Sequence, residues 1–136
     1  MLTLITNGHP LHEIGVKSLA GYMQFHGIPV QVIYMSYCRI LHKRLRHQIL
    51  EIAGNSKLVG LSLMTKDVGL FKPLINDIRQ KIQVPVVIGG IHPTAMPEES
   101  LEFSDFVCVG EGEEPIRQLY STVSGKSSDY TIPNIS

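Results

Sequence analysis

Five short runs of apolar, largely β-branched residues punctuate the chain, at residues 2–6, 30–35, 58–63, 84–88 and 106–109. Each is nearly continuous in apolar side chains instead of alternating with polar ones, which is the pattern of a strand covered on both faces. Between the runs the period changes to that of a helix. Val16, Leu19, Ala20 and Met23 fall at i, i+3, i+4 and i+7, and Gly27 followed by Pro29 supplies a stop. Leu41, Leu45, Ile49 and Ile52 make a second stripe that ends at Gly54 and Asn55. Phe71, Leu74, Ile75, Ile78 and Ile82 make a third. Pro73 has no backbone N–H, so that helix is predicted to start late enough to hold Pro73 in its first turn. A short helix is predicted to open at Pro97, with Glu98 and Glu99 at the positive end of its dipole. The last runs from about Pro115 through Ile116, Leu119, Tyr120 and Val123 to Gly125.

Strand and helix alternate five times, which predicts an α/β fold: a five-stranded parallel sheet with helices on both faces and right-handed crossovers. The expected strand order is 2-1-3-4-5, flavodoxin-like and Rossmann-like. A chain of 136 residues suits one domain. We expect it to occupy residues 1–124, because composition turns polar after Gly125 ("KSSDY") and then gives "TIPNIS". Residues 125–136 read as a linker or as the start of a further, absent domain.

Twelve basic residues balance twelve acidic ones, so overall charge points to neither nucleic acid nor a membrane surface. The run "HKRLRH" at 42–47 is the one basic cluster. Leu45 belongs to the buried stripe and no aromatic platform accompanies the cations, so it reads as a solvated helix face. Cys38 and Cys108 form no CxxC or CxxxCxxC spacing, so this chain alone builds no zinc or iron–sulfur site, and a reducing, cytoplasmic setting is expected. No apolar run approaches the roughly 20 residues of a membrane span.

In a doubly wound sheet, ligands sit beyond the carboxyl ends of the strands near the point where strand order reverses. The segments there read "NGHPLHEIG", "SYCR", "SLMTKD", "GGIHPT" and "GEGEEP", and most are rich in glycine or small polar residues, as a large ligand across the rim would require. Gly89-Gly90 either lets a ligand approach the backbone or makes a turn that needs positive φ. Glu111, Glu113 and Glu114 either accept from a ligand's hydroxyls or balance the dipole of the last helix. Ser62 and Thr65 either donate to a ligand or cap the next helix. His92 precedes Pro93, which favours extended backbone, so its imidazole is expected to point across the rim.

Taken together, "VGLSLMT", "VVIGGIHPTAMPEESL" and "DFVCVGEGEEPI" resemble the cobalamin-binding domain that precedes the catalytic barrel in cobalamin-dependent radical S-adenosylmethionine enzymes. The resemblance runs from the first helix to about Val123. Its most specific part is GGxHPT, a short acidic helix, and a strand running into GEGE. It implies cobalamin bound base-off, its nucleotide tail between the sheet and the last helix and its corrin over the strand ends. Gly89 and Gly90 would let the tail pass and Ser62 would hydrogen-bond it. Met64, Thr65, Ile91, His92 and Pro93 would lie against the corrin or its amide arms, and Glu111, Gly112 and Glu113 would meet the far side of the tail. It further implies a C-terminal radical S-adenosylmethionine domain, carrying a 4Fe-4S cluster and S-adenosylmethionine, whose reactions include methyl transfer from methylcobalamin. This chain alone is then expected to bind and not to catalyse.

Related cobalamin domains carry D-x-H-x-x-G after the first strand, the histidine binding cobalt and the aspartate orienting it. Here His12 and Gly15 keep H-x-x-G, but Pro10 stands at the acid's place. The resemblance therefore puts His12 near the lower face of the corrin and leaves open whether it coordinates cobalt. Two other readings are a free-standing corrinoid carrier, which would normally keep the intact motif, and a flavodoxin-like flavin-binding or receiver module. The latter lacks both a hydroxyl-rich first loop and the acidic cluster of a receiver.

Overall fold

The computed structural model describes residues 1–128 and 131–136. Five parallel strands, β1 (Leu2–Thr6), β2 (Val30–Tyr34), β3 (Leu58–Ser62), β4 (Val86–Gly89) and β5 (Phe106–Val107), form one sheet in the order β2-β1-β3-β4-β5. The expected order is the observed one, and chain reversal falls between β1 and β3, which pair in register from Leu2 opposite Leu58 to Thr6 opposite Ser62.

Both faces are covered. On one, Leu2, Leu4, Leu58, Val87 and Cys108 pack against Val16 and Met23 of α1 (Ile14–Phe25) and Ile116 and Leu119 of α6 (Glu113–Val123). On the other, Ile5, Val59, Leu61, Val86 and Ile88 pack against Ile49 and Leu50 of α2 (Lys43–Ala53) and Phe71, Leu74 and Ile75 of α3 (Val68–Asp77). The central strands β1 and β3 and most of β4 are buried, whereas every residue of β2 is only partly so, since it has no neighbour on its outer side. Two short helices, α4 (Ile91–Ala95) and α5 (Pro97–Leu101), lie between β4 and β5.

The structure corrects several boundaries. Helix α3 begins at Val68 after a 3-10 turn at Thr65–Asp67, so Pro73 sits inside the helix and not in its first turn. Pro73 and Gly69 are both exposed, so the carbonyl four residues back that loses its partner faces water and the cost is small. A π turn, Ile78–Ile82, continues α3 and ends at left-handed Gln83. Strand β4 starts two residues later than expected, after Pro85, which has no N–H to give the ladder. Helix α6 starts at Glu113, ahead of Pro115, which thus occupies its first turn. Only Phe106 and Val107 of the fifth run join the sheet; beyond them Cys108 bridges Ile135 in antiparallel sense, with Val109 N–H donating to the Asn134 carbonyl at 2.8 Å. The end of the segment expected as a linker thus lies along the outer edge of β5, with Ile132 buried; residues 129 and 130 of that segment lie outside the described residues.

Candidate functional site

Side chains alternate along a strand, so Leu4, Gly60, Ser62, Val87, Gly89 and Cys108 belong to the face that looks at α1 and α6. Toward the carboxyl edge the large side chains on this face stop: Ser62 pairs in register with Gly89, and Gly60 with Val87. The helices cannot sink into the space because their own apolar residues already rest on Leu4 and Val87. A groove of about 460 Å³ results, floored by the sheet and walled by α1 and α6. A Cβ built on Gly89 would approach nothing closer than 3.7 Å, so the protein itself leaves this space clear. A Cβ on Gly60 would come within 2.9 Å of Leu4 Cδ2, so glycine there also admits a neighbouring core side chain.

Ser62, Gly89, Glu111, Gly112 and Glu113, five of the residues singled out from the sequence, line this one groove. Ser18 Oγ donates to Glu113 across the mouth at 3.3 Å. Farther along the helices, Tyr22 donates to Glu114, whose carboxylate also accepts from Arg117 and Gln118. The bonds from Arg117, then those from Tyr22 and Gln118, hold the Glu114 carboxyl well below the usual carboxylate range, and the same carboxylate raises the Tyr22 phenol. Glu114 thus ties α1 to α6 and is not a free acceptor for a ligand. Burial, helped by the Glu113 charge, pushes the Cys108 thiol on the groove floor up to about 11, so it stays protonated near neutral pH.

Met64 and Ile91 belong to a second, smaller hollow beyond the strand ends, about 210 Å³, which shares Glu13 and Ser62 with the groove. Gly90 has φ +107°, and a Cβ there would lie 2.9 Å from the Leu63 carbonyl oxygen; its role is to turn the backbone from β4 into α4. The "GGIHPT" segment is therefore not a plain loop. Pro93 is tolerated in the first turn of α4, where its missing N–H would have no partner. The turn carries His92 inward: the ring is buried, contrary to the expectation that it crosses the rim, with Nδ1 3.3 Å from Thr65 Oγ1 and Nε2 3.8 Å from Glu99. Pro93 is buried beside it, whereas Thr65 is exposed.

His12 is exposed on the loop after β1 and does not line the groove. Its Nδ1 lies 3.0 Å from the Tyr37 hydroxyl. Tyr37 is brought there by a bend in which Ser36 and Tyr37 both have positive φ, 51° and 61°. Two such residues in succession are strained, and buried Asn7 holds them: its amide donates to the Cys38 carbonyl at 3.0 Å and its oxygen accepts from Cys38 N–H at 2.7 Å. Asn7 also donates to buried Asp67 at 3.0 Å. The Glu13 carboxylate packs over Gly8.

Gly60, Cys108, Ser18 and Tyr37 were missed from the sequence. A signal for Gly60 existed: in "VGLSL" the small residues fall on alternate positions of a strand that is otherwise large and apolar. Nothing local announces Ser18 or Tyr37, whose partners are far away in sequence. Among the described residues, no three His, Cys, Asp or Glu side chains are grouped to hold a metal ion, and no helix is long and apolar enough to cross a membrane.

The family model described as the B12 binding domain matches residues 2–120. Two solved structures of TsrM, a radical S-adenosylmethionine methyltransferase from Kitasatospora setae, superpose on the chain. One, with tryptophan substrate and the analog aza-SAM bound, gives a TM-score of 0.80 at 22% identity, over 98% of this chain and 28% of that one. The other, with cobalamin and a 4Fe-4S cluster bound, gives 0.78 at 22% identity, over 98% and 26%. The N-terminal domain of the hypothetical protein TM0182 of Thermotoga maritima gives 0.55 at 22% identity, over 77% of this chain and 80% of that one. The chain spans little more than a quarter of TsrM, and at this identity the likeness is one of fold. A search of curated proteins gives no match.

Proposed function

The chain belongs to the B12-binding domain family, and from that premise we propose that it binds cobalamin base-off, the nucleotide tail entering the groove under α1 and α6 and the corrin lying over the strand ends. The observation that carries this is the cleared face at Gly60, Ser62 and Gly89: a slot opened by missing side chains, running from solvent into the core, suits a long arm entering edge-on. Ser62 donates to the arm, while Glu111, Gly112 and Glu113 bound its other side. Met64 and Ile91, 47% and 67% exposed, give the corrin an apolar seat. Thr65 stands beside them, and His92 and Pro93 fix the turn that presents Ile91. Bound there, the cofactor supplies a cobalt centre able to carry a methyl group.

His12 is the side chain we assign to the lower face. With Nδ1 taken by Tyr37, Nε2 is the nitrogen left to meet the cofactor.

The same reading makes residues 1–124 the cofactor domain of a radical S-adenosylmethionine enzyme, a methyltransferase, whose catalytic half would hold the 4Fe-4S cluster and S-adenosylmethionine. Residues 125–136 lead toward that half. The support is the run of motifs GGIHPT at 89–94 and GEGE at 110–113, joined by acidic α5 and β5. Two unpaired thiols, Cys38 and Cys108, suit a reducing cytoplasm.

Incubation with hydroxocobalamin or with flavin mononucleotide, followed by desalting, tests the proposal: corrin absorption is expected to stay with the protein and flavin absorption to be lost. Retained flavin with no corrin would overturn it. Electron paramagnetic resonance of the reduced Co(II) complex then addresses His12. Nitrogen splitting that disappears in His12→Ala marks coordination, and a spectrum without splitting removes His12 from cobalt.

A further inference from the structure

The other face of the sheet carries a hollow for which cobalamin binding has no use. It lies in the cleft between α2 and α3, holds about 480 Å³, and is lined by Lys43, Arg44, His47 and Leu50 of α2, Asp77 at the end of α3 and Lys81 of the π turn that follows. A volume of that order suits a small molecule. Leu50 is buried and the basic side chains are exposed, so a cationic rim stands over an apolar floor. Asp77 is the one carboxylate in the lining, and it is already engaged: Arg46 reaches it at 3.5 Å, tying α2 to α3, and Lys81 at 3.6 Å. His47 faces Glu51 at 3.0 Å, one turn further along α2. Among the described residues, Lys43 and Arg44 have no carboxylate within ion-pair distance.

A solvated helix face does not account for this arrangement. The first turn of a helix favours acids, because the positive end of its dipole lies there, yet α2 has no acid in that turn and opens with Lys43, Arg44 and Arg46. Lys43 and Arg46 are three residues apart, on one stripe, which adds repulsion between like charges. Both effects oppose the helix, and a bound anion offsets both. Lys81 comes to the same rim from a π turn, a rare wide turn often found at binding sites. We propose that this hollow binds a small molecule through a pyrophosphate or a pair of adjacent phosphoryl groups. Lysine meets phosphate as a point charge and arginine can fork onto two of its oxygens. Lys43, Arg44 and Lys81 bring more positive charge than a monoanion balances, whereas linked phosphoryl groups match it. No aromatic side chain lines the hollow to stack a base, which disfavours a nucleic-acid strand. The hollow and the groove lie on opposite faces of the sheet, so this site does not depend on cobalamin.

Calorimetric titration of the full chain with inorganic pyrophosphate at low ionic strength tests this, with inorganic phosphate, sulfate at matched ionic strength and a short DNA duplex as the other arms. Pyrophosphate is expected to bind about ten-fold or more tightly than phosphate or sulfate, and to raise Tm by mass action. Lys43→Glu combined with Arg44→Gln is expected to remove that binding while the unliganded Tm holds or rises, since an acid suits that end of α2. Lys126→Gln, which removes an exposed cation outside the hollow, is expected to change neither. Should the double variant fold poorly, Lys81→Gln on the opposite wall is expected by itself to weaken pyrophosphate binding. No heat with pyrophosphate, an equal response to sulfate, or binding that these variants leave intact would overturn the proposal. Tight binding of the duplex alone would make the surface one for nucleic acid and overturn it likewise.

Discussion

Gly89→Leu is expected to weaken cobalamin binding by about 100-fold or more while the domain stays folded. The substituted Cβ would sit 3.7 Å from Cys108, an ordinary contact, so the backbone has no reason to move. Gly89 ends β4 with φ in the ordinary negative range, so a leucine there is unstrained. The rest of the side chain has one place to go, the groove, where it occupies the volume assigned to the tail. Titration of the variant checks binding, and thermal unfolding checks the fold. A leucine variant that binds as the parent does would mean that the tail lies elsewhere.

Gly90→Ala acts on the neighbouring residue with the opposite signature. It is expected to destabilise the fold by about 3 kcal/mol, since φ +107° belongs to glycine and the new Cβ would press on the Leu63 carbonyl oxygen at 2.9 Å. In a domain of this size that is a fall of roughly 10 °C in Tm. The damage should spread to α4, because His92 N–H donates to the same Leu63 carbonyl and Thr94 N–H to that of Gly90. Thermal unfolding checks the figure. Two adjacent glycines that look alike in sequence are thus expected to fail in different assays, one in binding and one in stability.

How much of this was legible beforehand depends on how local each feature is. The strand order followed from five both-faces-apolar runs alternating with helical stripes, because burial on two faces leaves few other arrangements for short parallel strands. The candidate groove was legible in part: Ser62 and Gly89 end strands, Glu111, Gly112 and Glu113 follow one, and strand ends converge in this topology. His92 was misjudged because the preference of a residue before proline for extended backbone was outweighed by the first turn of α4, which tolerates the proline and buries the ring. The late start expected for the third helix, with Pro73 in its first turn, did not occur because the cost of Pro73 inside α3 falls on a solvated carbonyl. The partner of His12 was sought two residues upstream, at Pro10, whereas the nearest hydroxyl comes from Tyr37 on another loop. Pairing of the C-terminal segment with β5 is likewise a long-range event that no local pattern encodes.

The central claim is that the cobalamin tail leaves cobalt and enters the groove above Gly60, Ser62 and Gly89. The visible absorption spectrum of the protein with one equivalent of hydroxocobalamin, at neutral pH after unbound cofactor is removed, reads that displacement directly. A base-off spectrum in the wild-type complex, or one that turns base-off in His12→Ala, with no corrin retained by Gly89→Leu, is the expected result. A retained corrin whose own benzimidazole still binds cobalt would contradict it.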